Sequence, residues 1–177
     1  ADSTATDAVS IPPQVEDMAV LSPSAVEGVL TDYVAACRLY GCEDRVNAGI
    51  MTSFRFGLPS LRPSGNFFDA DMLALAEVLL EHCNGALSYI RRIDLSIAAK
   101  EGKEHGKSGI RSHGAFSLSK VISKSRHIEQ LYLQGNRIGP YGSSAIFLAA
   151  STNDTLQTLT MRGCRAGERG ALAFAKY

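Results

Sequence analysis

Cysteine is scarce in this chain, and its few cysteines form no recognisable motif. Cys37, Cys42, Cys83 and Cys164 include no C-x-x-C pair, and no histidine follows at zinc-finger spacing, which excludes the common zinc and redox motifs. Free cysteine packs as a small hydrophobic residue, so we expect reduced and mostly buried thiols. Reduced thiols are typical of an intracellular protein, cytoplasmic or nuclear.

Net charge and long hydrophobic runs are also missing. The 18 basic and 18 acidic side chains cancel over 177 residues, so the overall charge favours neither nucleic acid nor an anionic membrane as a partner. No apolar run reaches the roughly 18 residues needed to span a bilayer. The N-terminal residues have neither the basic start nor the apolar run of a signal peptide. The sequence therefore predicts no membrane insertion and no nucleic acid partner.

Motifs for catalysis and metal binding are absent as well. The chain has no G-x-S-x-G, no H-E-x-x-H and no paired nucleophile and base. The four histidines are not spaced as metal ligands. The string from Gly102 to Ser108 is one residue too short for a phosphate-binding loop, and it does not open a helix directly. We expect no enzymatic activity, no cofactor and no metal.

The chain does contain a repeated phrase, a short sequence pattern that occurs twice at positions 28 residues apart. Six residues of the first copy match six of the second without a gap: Ile128, Leu131, Leu133, Asn136, Gly139 and Gly142, then Leu156, Leu159, Met161, Cys164, Gly167 and Gly170. This spacing fits the leucine-rich-repeat frame L-x-x-L-x-L-x-x-N/C-x-L. The frame predicts a strand with buried leucines, an Asn or Cys that bonds neighbouring backbone, and a glycine turn into a helix.

The residues of the phrase also indicate a family. Asn136 and Cys164 alternate at the turn position, and a G-x-x-G step follows each of them at Gly139 and Gly167. In these features the chain resembles the ribonuclease-inhibitor-like class of leucine-rich repeats, most fully over 128–177 and less through 51–127. The resemblance implies an α/β fold, a curved leucine-rich-repeat solenoid with an inner parallel β-sheet and outer helices, preceded by a helical N-terminal cap.

Counting the repeat backwards divides the chain into three parts. We predict a flexible N-terminal segment at 1–23, a helical cap at 24–50 and repeats over 51–177. The cap helix is expected to begin with a capping box from Ser24 to Glu27 and to end at Gly41, with a short helical turn over 44–50. The repeat units are expected to start near 51, 90, 128 and 156, with a helix over 69–82 and an inserted loop at 98–112. The strand of the first unit is assigned to Met51, Phe54 and Phe56.

The candidate partner-binding residues are the strand side chains that alternate with the buried positions. They should line the open sheet face in three rows, because strand side chains point alternately to opposite faces. We expect the partner to contact Arg55, Asp94, Tyr132, Gln134, Thr160 and Arg162 on this face and Lys103, Lys107 and Arg111 of the inserted loop. The rows also contain other members: Ser53, Arg92, Gln130 and Thr158, then Gly57 and Ser96.

The function predicted from these features is non-catalytic protein binding through the concave repeat surface and the inserted loop. Two alternatives stay open, a GTPase regulator of the GTPase-activating scaffold type and a structural component of a cytoskeletal or ciliary assembly. The last unit breaks off at Tyr177 with no polar cap. We therefore expect the chain to be a fragment of a longer protein, or to be covered there by a partner within a larger assembly.

Overall fold

A computed structural model describes residues 21–97 and 109–175. Within these ranges, six helices and four short strands follow one another, with two helices before the first strand. In chain order the elements are α1 Pro23–Leu39, a 3-10 turn at Glu43–Arg45, α2 Ala48–Arg55, β1 Ser60–Leu61, α3 Asp69–His82, β2 Arg92–Asp94, α4 Ser112–Lys124, β3 Gln130–Tyr132, α5 Gly139–Ser151, β4 Thr158–Thr160 and α6 Gly167–Ala175. The fold is therefore α/β, and none of its described helices is long and apolar enough to cross a membrane.

The four strands form one parallel sheet in the order of the chain, β1-β2-β3-β4. Ile93 pairs with Leu131, and Leu131 pairs with Leu159, so the 28-residue step between the last two units corresponds directly to the strand register. The predicted rows Arg92, Gln130, Thr158 and Asp94, Tyr132, Thr160 are confirmed as register partners. Parallel neighbours joined by a helix satisfy the backbone of each strand without a hairpin.

The core lies between the sheet and the helices. Ile93 and Leu131 have no exposed surface, whereas their strand neighbours Arg92 and Tyr132 are partly exposed on the opposite face. The helices contact each other in the order α1, α3, α4, α5, α6. Burying a leucine stabilises the fold by about 1.5–3 kcal/mol, so the alternating strand pattern determines which face meets the helices. The described residues leave the other face partly exposed.

The turn positions of the phrase act as predicted. Asn136 Oδ1 accepts a hydrogen bond from Ile110 N at 3.0 Å, and its Nδ2 donates to the carbonyl oxygens of Leu95 at 2.8 Å and Leu133 at 2.9 Å. The Cys164 thiol donates to Leu133 O at 2.9 Å. Each turn side chain thus bonds the preceding unit, where buried carbonyls would otherwise have no partner. The predicted turn glycines Gly139 and Gly167 have φ of 72° and 61°, which L residues rarely adopt.

The N-terminal helix differs in detail from the sequence prediction. Ser22, not Ser24, is the N-cap of α1, and its hydroxyl accepts from Ala25 N while Pro23 occupies the first turn. The capping box predicted from Ser24 is therefore wrong, because Ser24 already lies inside the helix. Gly41 does end this region as predicted, with φ of 66°. The predicted turn over 44–50 is divided between the 3-10 turn and the start of α2.

The strand predicted for the first unit is wrong. Met51 and Phe54 lie in α2, and the sheet strand follows it at Ser60–Leu61. Phe54 is buried and meets Tyr33 of α1 edge to face, with ring centroids 5.7 Å apart. Its apolar character therefore serves helix packing at the end of the sheet rather than strand burial. The predicted helix Asp69–His82 is confirmed at both ends.

All four cysteines are free and buried, as predicted for thiols that pack as small apolar groups. Burial raises the pKa of the Cys42 thiol to about 12 and that of Cys164 to about 11. Because the thiolate is the reactive form, both groups are chemically quiet at neutral pH.

Candidate functional site

The open sheet face is the candidate site. Each strand contributes residues at every second position, and parallel register sets them side by side about 4.8 Å apart. One row contains Asp94, Tyr132 and Thr160 in adjacent strands. Backbone hydrogen bonds continue the register beyond β3, since Ile97 N donates to Gln134 O and Gly135 N donates to Arg162 O. The predicted contacts on β2, β3 and β4 therefore share one surface.

Arg92, Asp94 and Tyr132 form a connected cluster at the centre of this face. The guanidinium of Arg92 lies 4.3 Å from the centroid of the Tyr132 ring, a cation–π geometry. The same guanidinium donates from Nη2 to Asp94 Oδ2 at 3.1 Å. The Tyr132 hydroxyl donates in turn to Gln130 Oε1 at 3.3 Å. The cluster holds a large aromatic side chain and an arginine in fixed positions.

Asp94 is the buried anchor of the cluster. Its side chain is 7% exposed, and Oδ1 accepts from both the backbone N and the hydroxyl of Ser96. Burial alone would raise the pKa of this carboxyl, but the hydrogen bonds from Ser96 and Arg92 and the nearby charge of Arg62 outweigh it and lower the pKa. Asp94 is therefore ionised at neutral pH, and its carboxylate accepts hydrogen bonds from Arg92 and Ser96 within the protein.

Three polar atoms of this face have no hydrogen bond among the described residues. Gln134 Oε1, Thr160 Oγ1 and Arg92 Nε are shielded from solvent and have no partner within the described parts of the chain. Buried polar atoms are usually paired, so three such atoms on one face are unusual. Arg162 lies beside them and is exposed. These atoms have bonding capacity that the described residues do not use.

Arg55 does not belong to the predicted row. It is the last residue of helix α2 and is exposed there, and the first-strand members Ser53 and Gly57 fall outside the sheet for the same reason. Ser60 is the residue that pairs with Arg92, and Arg62 follows β1 close enough to act on Asp94. The spacing of Leu58 and Leu61 matches that of Ile90 and Ile93, which was the available signal for the true strand.

The inserted loop contributes one described candidate. Lys103 and Lys107, with most of the predicted loop 98–112, lie outside the described residues. Arg111 is exposed, and its backbone N donates to Asp69 Oδ1 at 2.6 Å just before α4 begins at Ser112. The loop therefore ends earlier than predicted, because Asp69 fixes the N-terminus of the next helix.

A second surface lies on the helix side. A shallow groove of about 510 Å³ runs between α4 and α5. Phe116 and Leu148 line it and are 46% and 50% exposed, with Lys120 and Lys124 along one side. Helix α5 has no charged residue in its 13 positions. The sequence did not predict this apolar groove, because a helix-facing stripe and an exposed one have the same spacing.

Within residues 21–97 and 109–175 no group of three or more His, Cys, Asp or Glu side chains is placed to hold a metal ion. The candidate site contains one aromatic residue, arginines, amides, hydroxyls and the Asp94 carboxylate, which are groups suited to recognition by hydrogen bonds and stacking. Neither protein-family models nor curated protein sequences give a match to this chain.

Proposed function

We propose that this chain is a non-catalytic protein-interaction module of the leucine-rich-repeat type, which binds a protein partner through the open face of its sheet. In this proposal the units form a curved solenoid of the ribonuclease-inhibitor-like class. The in-register parallel strands, the 28-residue step and the Asn136 and Cys164 turn bonds support it. Four free buried thiols support an intracellular setting.

The arginine–tyrosine cluster is the observation that carries the proposal. Tyr and Arg are the side chains most often found at the energetic centre of protein interfaces. Here Tyr132 and Arg92 are already held in place by Gln130 and Asp94. A surface that is ordered before binding loses little side-chain entropy when a partner arrives, so a larger share of the contact energy contributes to affinity.

Affinity capture with matched variants tests the proposal. The chain would be immobilised as the natural sequence, as Tyr132→Ala with Arg162→Ala, and as the helix-side variant Phe116→Ser with Leu148→Ser. We expect proteins retained from a cell extract to be lost from the sheet-face variant and kept by the helix-side variant. The circular dichroism of all three should agree. If only the helix-side variant loses the retained proteins, the sheet face is not the binding surface.

The apolar helix-side groove favours a second candidate function, a fixed structural part of a larger assembly. Exposed apolar patches of this kind often mark contact sites. Phe116 and Leu148 line this groove. Helix α6 exposes two more apolar side chains, Leu172 at 58% and Phe174 at 67%. In a cytoskeletal or ciliary assembly the helix side would then be occupied and the sheet face open. The same capture experiment separates the two functions, because each predicts loss from a different variant.

A further inference from the structure

Among the described residues, the open sheet face has an excess of positive charge although the whole chain is neutral. This part of the chain contributes Arg62, Arg92 and Arg162 to the face, and Asp94 is its one carboxylate there. That carboxylate is bonded to Arg92 and Ser96, so its charge is balanced within the cluster. Arg62 and Arg162 are both exposed, and they lie at opposite edges of the sheet beside β1 and β4. The free positive charge is therefore placed at two ends of the face, with Tyr132 between them.

The separation of these two arginines follows from sheet geometry. Three strand spacings and a two-residue step along the strand put their Cα atoms roughly 16 Å apart. An extended peptide advances about 3.3 Å per residue, so it covers this distance in about five residues. A segment lying across the strands could therefore contact both guanidinium groups with two acidic side chains four or five positions apart.

The unpaired polar atoms indicate what else the occupant offers. Gln134 Oε1 accepts only, so it needs a donor from the ligand, and Arg92 Nε needs an acceptor. When the Gln134 side chain turns outward, its Oε1 gives up no hydrogen bond, while Arg92 stays bonded to Asp94. A peptide backbone has N–H donors and carbonyl acceptors at every residue. A nucleic acid backbone offers mainly phosphate acceptors, and these leave the glutamine oxygen unpaired.

We propose that the sheet face binds an extended acidic peptide segment with two carboxylates about four or five residues apart, one at Arg62 and one at Arg162, with its middle over Tyr132. This inference rests on the proposed function and narrows it to a partner chemistry. The arginines provide bidentate donors that match carboxylate geometry. Arg92 acts as a positioning residue that fixes the Tyr132 ring.

Selection from a phage-displayed random twelve-residue peptide library tests the inference. The library would be panned on the natural chain and on Arg62→Gln with Arg162→Gln. A charge-matched control, Arg38→Gln with Arg126→Gln, removes two exposed cations that lie off both the sheet face and the helix-side groove. We expect peptides selected on the natural chain and on the control to be enriched in Asp and Glu pairs four or five positions apart. Synthetic copies of the selected peptides should bind the face variant about 10-fold or more weakly and lose affinity as salt rises.

The remaining outcomes distinguish the two proposals. Selected peptides that are poor in acidic residues but lose binding with Tyr132→Ala would overturn the acidic inference and leave the protein-binding face intact. Peptides that no face substitution affects, or no selected peptides at all, would overturn both. A labelled single-stranded oligonucleotide serves as a competitor. If it binds more tightly than the peptides and depends on the same arginines, the occupant is nucleic acid and the inference is wrong.

Discussion

The two copies of the repeated phrase share one pattern of apolar, turn and glycine positions, yet they have very different surroundings. Leu131 and Leu133 in the first copy have no exposed surface. Their counterparts Leu159 and Met161 are partly exposed. The pattern that buries a leucine in one unit therefore leaves the same position open in the next. The phrase thus determines the direction of each side chain, while a neighbouring unit completes its burial.

The contacts explain this contrast. Strand β3 pairs with β2 on one side and β4 on the other, whereas the described partner of β4 is β3 alone. Helix α5 likewise packs between α4 and α6. The unit of β3 is covered by its own helix and by the unit that follows, so its stability should depend on both its own packing and that of its neighbour. Paired substitutions in the two copies measure the neighbour term directly.

Aspartate at the buried leucine positions should give the largest effect. Leu131→Asp puts an unpaired charge where no surface is exposed, and we expect a loss above about 4 kcal/mol, which unfolds the chain. Leu159→Asp should cost less, about 2 kcal/mol, because the charge can reach water. Urea unfolding followed by circular dichroism measures both. Equal losses would show that β4 is as enclosed as β3 and would remove the basis of the comparison.

The turn residues should give the next largest difference. Asn136→Ala removes three hydrogen bonds and leaves Ile110 N and Leu95 O buried without a partner, so we expect a loss of about 3 kcal/mol. Cys164→Ala should cost about 1 kcal/mol, because Leu133 O keeps its bond from Asn136. Midpoints of urea unfolding compare the two variants. A larger loss for Cys164→Ala would mean that the thiol, not the amide, supports the turn.

Alanine at Gly142 of α5 and at the matching Gly170 of α6 should give a smaller difference in stability between the two units. A Cβ on Gly142 would lie 2.9 Å from Ala115 Cβ and 3.2 Å from Ser112 Cα, so α5 would have to move against α4. We expect Gly142→Ala to destabilise by about 2 kcal/mol. A Cβ on Gly170 would meet Ala166 Cβ at 2.7 Å and Ser143 Cβ at 3.1 Å, but the described helix contacts of α6 are chiefly with α5, so α6 can shift. The higher helix propensity of alanine should then offset the cost of this shift, so the thermal midpoint of Gly170→Ala should stay nearly unchanged.

The later part of the chain was predictable from its sequence because each signal there is repeated. The 28-residue step predicts the register of Leu131 with Leu159, and the bonds of Asn136 follow from the role of that position in the phrase. A periodic pattern is reliable when the local spacing and the neighbouring unit require the same residue types. Strand, turn and helix of these units could be predicted for that reason.

The first unit could not be predicted in the same way. Met51 and Phe54 have strand-like spacing, yet they form a helix that packs on Tyr33. Met51 with Phe54 and Leu58 with Leu61 have the same spacing of three, so the sequence offers two candidate strands, and tertiary contacts decide between them. The predicted site contains the same error, since Arg55 was assigned to a row that Ser60 and Arg62 occupy. Hydrogen bonds such as that between Arg92 and Asp94 depend on side-chain rotamers, which spacing does not specify.

Substitutions on the open face of the same strands should have the smallest effect on the free energy of unfolding, and this effect should depend on pH. Asp94→Asn weakens the bonds to Arg92 and Ser96, and we expect a loss of about 1 kcal/mol at pH 7. Thr160→Val, in the same row, should cost almost nothing, because Thr160 Oγ1 has no partner among the described residues. The pKa of Asp94 is lowered in the folded state, so its contribution is present above the ordinary carboxyl pKa and is lost as pH falls through the lower folded value. Urea unfolding at about pH 7 and about pH 2.5 should therefore show the gap between the natural chain and Asp94→Asn shrinking in acid, with Thr160→Val level at both. A gap that stays constant would mean that Asp94 acts through shape alone and that its charge does not hold Arg92 against Tyr132.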